Sequence, residues 1–199
     1  MKPFAVTWDY RCPFARNAHE HIVAGLRDGA DWDVTFLPFS LSQGHVPEGG
    51  TPVWDDPAKG PDLMALAAGV VVRDQYYGQF GDVHEALFAA RHDQALDLRR
   101  ADVVAGVLDR AGVPGAKVLA EVEGGGPIDE IRLSHTRAVT EWEVFGVPTF
   151  VVDGRAVFVR LMSRPRGDAA LARRTIEGVV SLFDEQPDLN EFKYTTLAR

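Results

Sequence analysis

The chain has 199 residues, of which 46% are hydrophobic, 25% charged and 10% aromatic, and it carries a formal charge of −8. That composition describes an ordinary soluble globular protein able to bury a core, and it excludes collagen-like and disordered classes. The acidic balance, with no run of basic residues, argues against nucleic acid as a partner, since neutralising phosphates needs a net basic face.

The one cysteine, Cys12, excludes an intramolecular disulfide and a cysteine-built zinc cage. Asp9 and Arg11 interrupt the apolar residues of Met1–Phe14, so this segment does not read as a secretion signal. The longest apolar run, around Met64–Val72, falls far short of the about 20 residues that span a bilayer. The expectation is a cytoplasmic protein with no membrane partner.

In chain order, Lys2–Trp8 is apolar and β-branched and reads as a strand. Pro13 suits the first position of a helix, whose apolar row is Phe14, Ala18, Ile22 and Leu26 and whose end is near Gly29. Trp32–Phe39 is a second strand, so the opening is β-α-β with Cys12 at the strand-to-helix turn. Gln43–Gly60, with four glycines and three prolines, reads as a long surface loop. Helices are expected over Asp62–Tyr77, over Asp82–Asp93 with Asp82 as cap, over Arg99–Ala111, and from Pro114 to the glycines at 124–126.

Pro127 opens another helix with Ile128, Ile131, His135, Ala138, Trp142 and Phe145 on one stripe, ending at Gly146. Pro148–Asp153 and Ala156–Leu161 read as two strands joined by an Asp153-Gly154 turn. Asp168 caps a last amphipathic helix running through Phe183, and the tail after Pro187 reads as an extended arm. The order is β-α-β, helical insertion, α-β-β-α. It predicts one α/β core, built from 1–55 and 127–199, with a helical subdomain inserted at 56–126.

Cys12 is the candidate nucleophile. A helix N-terminus carries roughly half a positive charge and unpaired N–H donors, which favour a thiolate over a thiol. The expectation is therefore a thiol ionising below the ordinary value of about 8.5, with Arg11 adding a neighbouring cation. The alternative is a small, inert, buried side chain. Val147-Pro148-Thr149-Phe150 is the second candidate element, since its backbone can offer an N–H and a C=O to an extended ligand.

Other residues carry less. His19 and His21 fall on different faces of one helix, and His84 and His92 are too far apart to share a metal, so all four read as solvated. His135 reads as a partly buried, hydrogen-bonded side chain, and Tyr76 and Tyr77 as packing surface. Neither a glycine-rich phosphate loop after a strand nor a Gly-x-Ser-x-Gly elbow occurs.

Cys12-Pro13-Phe14-Ala15 after Trp8-Asp9, the helical insertion, and Gly146–Asp153 together resemble the DsbA family of the thioredoxin-like superfamily. The similarity is to its cytoplasmic branch, with FrnE-type oxidoreductases, 2-hydroxychromene-2-carboxylate isomerases and kappa-class glutathione transferases. It extends from Phe4 to about Phe183. The resemblance implies a thioredoxin-like fold, a nucleophilic Cys12 and a cis Pro148 facing it. It also implies ligand contacts from Arg11, Pro13, Phe14, Val147 and Pro148.

One departure matters. Redox members carry Cys-x-x-Cys, and here Ala15 takes the second place. Isomerase and kappa-class relatives carry serine where Cys12 stands. The expectation is a monothiol thiol–disulfide oxidoreductase acting on a small-molecule thiol or disulfide. Cys12 forms a mixed disulfide, and glutathione or mycothiol resolves it as co-substrate, with no bound cofactor or metal. A thiol-dependent transferase or isomerase is the first alternative, with Tyr10, Phe14, Phe39, Tyr76 and Tyr77 walling an apolar pocket. A non-catalytic binding module is the second. Assembly as a homodimer is left open.

Overall fold

The computed structural model describes residues 3–191, 193 and 194. Four strands form one mixed sheet: β1 (Phe4–Trp8), β2 (Val34–Pro38), β3 (Thr149–Val152) and β4 (Arg155–Phe158). Their order is β2-β1-β3-β4, with β1 and β2 parallel and the other two pairings antiparallel. The sequence follows this placement. Central β1 and β3 are buried along nearly their whole length and are apolar except for Thr7 and Thr149, whereas the edge strands are only partly buried.

Helices α1 (Pro13–Arg27) and α7 (Ala169–Glu185) pack together over one face of the sheet. Between them and the sheet lie Phe4, Ile22, Phe150, Ile176 and Val180. Close packing here requires glycine at position 25, where an added Cβ would lie 2.2 Å from the Trp32 ring. Asp168 caps α7 as its sequence predicts, accepting a hydrogen bond from the Leu171 amide.

Between β2 and β3 come α2 (Gly60–Gln75), α3 (Phe80–His92), α4 (Ala101–Arg110), α5 (Gly115–Glu123) and α6 (Gly126–Trp142). Helix α6 packs on β2 and α2, while α3 packs on α1. One apolar cluster runs from Trp8, Cys12 and Phe39 into Leu66, Phe88 and Leu108, so the inserted helices and the strand ends share a core. Residues 43–60, expected as a surface loop, contain two short 3₁₀ turns and bury Val53.

Several expected boundaries move, for local reasons. Asp82 lies in the first turn of α3, with Gln79 at the cap position after a 3₁₀ turn at Tyr77–Gln79. Helix α6 ends before Gly146 because Glu143 takes the left-handed conformation, φ 53°, and the Val144 amide bonds back to Ala138. That is a glycine-type stop made by a glutamate, which sequence does not signal. Phe145 consequently leaves the apolar stripe and is 77% exposed. Lys2 and part of the tail after Pro187 lie outside the described residues.

Gly69 of α2 fixes how close the insertion comes to the Cys12 turn, since a Cβ there would sit 2.5 Å from the Tyr10 hydroxyl oxygen. Gly69→Ala is therefore expected to destabilise the fold by about 1–3 kcal/mol despite alanine's better helix propensity. Urea unfolding of the two proteins checks this, and unchanged or raised stability would contradict the packing described.

Candidate active site

Cys12 sits at the N-cap of α1 in extended backbone, with Pro13 as the first helical residue. Its sulfur accepts from the Ala15 amide at 3.4 Å and donates its S–H to the Val147 carbonyl at 3.2 Å. The side chain is 8% exposed. The Val147–Pro148 peptide bond is cis. The loop is braced from behind: the Thr149 amide donates to Thr7 Oγ1 at 2.8 Å, and the Thr149 hydroxyl donates to the Gly146 carbonyl at 2.8 Å.

Asp9 organises the turn before the cysteine. Its carboxylate accepts from the Arg11 amide at 2.9 Å and from the Leu41 amide at 2.8 Å. It thereby ties the Cys12 turn to the segment following β2. Burial of this carboxyl, 4% exposed, raises it from its ordinary value, and the two amide bonds offset only part of that.

The expected low-pKa thiolate is not what this environment favours. Burial pushes the Cys12 thiol up from its ordinary value and the negative charge of Asp9 adds to that, while the Ala15 and Phe14 amides pull it down by less. Desolvation outweighs the helix terminus. Arg11 does not help, because its guanidinium is drawn to Ser42 Oγ. Cys12, Pro13, Phe14, Val147 and Pro148 are thus brought together, and the Arg11 side chain is directed elsewhere. Phe14 is half-buried beneath the Arg160 guanidinium, 5.5 Å from its ring centre.

The aromatic wall foreseen for an apolar pocket does not form as drawn. Tyr10 is 1% exposed and lies inside the core, Phe39 packs tilted against His135 with ring centres 4.1 Å apart, and Tyr77 is 83% exposed. The histidines reverse their expectation more completely. His19, His21 and His84 are buried, and His92 donates from Nε2 to the Tyr10 carbonyl at 2.9 Å. His19 and His84 contact each other at 2.9 Å, on α1 and α3. His135 is buried as expected, but its Nδ1 has no hydrogen-bond partner among the described residues. Sequence reasoning also missed a partly buried ion network, in which buried Glu20 binds Arg16 at 3.0 Å and Arg164 at 2.5 Å while Asp93 closes it through Arg16.

With this geometry in place, residues 6–163 match the DSBA-like thioredoxin domain. The chain belongs to that family. This DSBA-like protein is similar to solved structures across nearly its whole length. Against Pseudomonas aeruginosa DsbA the identity is 22% and the TM-score 0.57, covering 92% of this chain and 85% of that one. Against a 2-hydroxychromene-2-carboxylate isomerase the identity is 14% and the TM-score 0.59, covering 94% and 99%. Against the cytosolic disulfide reductase DsbM from Pseudomonas aeruginosa with GSH, the identity is 14% and the TM-score 0.60, covering 90% and 100%. Among curated proteins none matches the chain. These likenesses establish the thioredoxin-like fold with its helical insertion.

The buried histidines make the stability of this DSBA-like fold pH-dependent. Burial lowers both His19 and His135 from 6.5 to about 4. Below 6.5 the unfolded chain binds protons that the folded chain refuses until about pH 4, so acid favours unfolding across that window. Refusal of this proton by His19 alone makes the fold less stable at pH 4 than at neutral pH by on the order of 3 kcal/mol. The urea midpoint is expected to fall steadily from pH 6.5 to 4, and a flat profile there would contradict the burial of these imidazoles.

Proposed function

We propose that the protein is a monothiol thiol–disulfide oxidoreductase whose reacting atom is Cys12 Sγ. What carries this reading is one sulfur at the head of α1, held against the Val147 carbonyl, with Ala15 where a dithiol enzyme has its second sulfur. Cys12 gives up its proton to solvent, its thiolate attacks one sulfur of a small disulfide, the S–S bond breaks, and the other sulfur leaves as a thiolate that takes up a proton. The resulting mixed disulfide cannot be resolved within the chain. An external thiolate attacks the substrate's sulfur and releases Cys12 as thiolate, so electrons pass between small molecules.

The local geometry suits the two states differently. In the resting state the thiol is protonated and bonded to the Val147 carbonyl. Once Cys12 is in a disulfide that S–H is gone, and the same carbonyl is free to accept an N–H from the bound substrate. The Ala15 amide and the start of α1 receive the negative charge when the sulfur is released. Glutathione or mycothiol fits the role of resolving thiol, in keeping with the likeness to DsbM solved with GSH. A cytoplasmic setting accords with that neighbour's description as cytosolic.

The raised thiol favours a second reading. Kept protonated, Cys12 would donate its S–H to the thiolate of a bound co-substrate, which then adds to an apolar electrophile as in a transferase or isomerase. The likeness to the 2-hydroxychromene-2-carboxylate isomerase accords with this.

Thiol release from a glutathione mixed disulfide separates the two. The oxidoreductase reading predicts turnover proportional to added thiol and abolished by Cys12→Ser. Turnover that survives Cys12→Ser would overturn it. Ala15→Cys should oxidise internally and lose both free thiols, since the residue 15 amide already lies 3.4 Å from Sγ.

A further inference from the structure

Beneath the Cys12 turn runs a buried chain of polar side chains. The Tyr10 hydroxyl lies 2.9 Å from His84 Nδ1, His84 Nε2 lies 2.9 Å from His19 Nδ1, and His19 Nε2 lies 3.1 Å from the Thr7 carbonyl oxygen. Its last member dictates the protons of all the others. A carbonyl oxygen only accepts, so neutral His19 carries its proton on Nε2 and accepts at Nδ1. His84 must then donate from Nε2 and accept at Nδ1, which leaves the Tyr10 hydroxyl to donate. No other neutral arrangement satisfies all three bonds. Trp8, Phe80 and Phe88 pack around His84 and keep water from it.

Both ends of this chain reach the candidate site. Tyr10 stands two residues before Cys12, and its carbonyl is held by His92 from the same helix that supplies His84. Thr7 holds, through its hydroxyl oxygen, the amide of Thr149 immediately after Pro148. Helix α3 therefore grips the turn that carries the sulfur, and the chain ends on the residue that braces the opposing loop.

We propose that Tyr10, His84 and His19 are positioning residues for Cys12. Their one-directional chain fastens the Cys12 turn to the Val147–Pro148 loop through α3, and so holds the thiol against the Val147 carbonyl. This rests on the reading of Cys12 as the reacting sulfur. Cutting the chain loosens the thiol, and its reactivity in the folded protein rises.

The test is the rate at which iodoacetamide alkylates Cys12 in folded protein, read by intact mass beside the unfolding midpoint. Tyr10→Phe removes the first donor, and His84→Leu cuts the chain. His84→Gln keeps one acceptor and one donor at the ends of its amide, in the same sense as the imidazole. Leu108→Ala is the control, a core truncation in α4 that removes no member of the hydrogen-bonded chain. Expected are several-fold faster alkylation for Tyr10→Phe and His84→Leu, and a rate near that of the original protein for His84→Gln and Leu108→Ala. If alkylation instead follows loss of stability alone, whichever residue is changed, the proposal falls.

Should the cutting variants fail to fold, the unsubstituted protein decides. Imidazole nitrogen NMR must show His19 and His84 both as neutral Nε2–H tautomers, and an Nδ1–H tautomer in either overturns the chain's direction. Iodoacetamide requires no disulfide substrate, so these readings stand apart from the exchange assay. Failure of exchange would remove the functional reading alone.

Discussion

A single sulfur shared between two structural elements is the constraint on which the rest depends. Cys12 accepts from the first turn of α1 and donates to the carbonyl before Pro148, so helix start and loop must lie within hydrogen-bond reach of one atom. The central strands supply that reach. Strand β1 ends where α1 begins, and β3, paired antiparallel to β1, begins where the loop ends. Asp9 then adds the segment after β2 by bonding the amides of Arg11 and Leu41. The site is thus assembled from three chain segments, each delivered by a strand end.

Burial decides the electrostatics of this assembly. The start of a helix favours a thiolate, yet Cys12 is almost enclosed, and the desolvation of its charge outweighs two amide contacts. The same balance holds for the imidazoles beneath it, which are kept neutral and hydrogen-bonded where a charge has no partner. The outcome is a protonated Cys12 thiol above neutral imidazoles. Buried charge is met by ion pairs, as for Glu20 between Arg16 and Arg164, or by backbone amides, as for Asp9.

Much of this is legible in the sequence where one residue determines local backbone. Pro13 after Cys12 marks the helix start, Asp168 marks the cap of α7, and Asp153-Gly154 marks the turn between β3 and β4. The family pattern around Cys12 and Pro148 adds the pairing of two distant segments, which periodicity alone cannot supply. What escapes the sequence depends on tertiary contact. His19 and His84 look like solvated surface residues until α3 is laid on α1, and Arg11 looks like a neighbour of the thiol until Ser42 draws it away. Glu143 adopts a backbone conformation that its residue type does not announce. The ionisation of Cys12 depends on tertiary contact in the same way: the helix terminus is visible in sequence, and the depth of burial is not.

We propose that Cys12 is the reacting sulfur and that its release needs an outside thiol. The most direct measurement is the intact mass of the folded protein after mixing with glutathione disulfide. One glutathionyl group on Cys12, removed on adding free thiol, is the predicted result. An unmodified mass across the pH range in which the fold is stable would contradict the account and leave Cys12 as a buried, structural thiol.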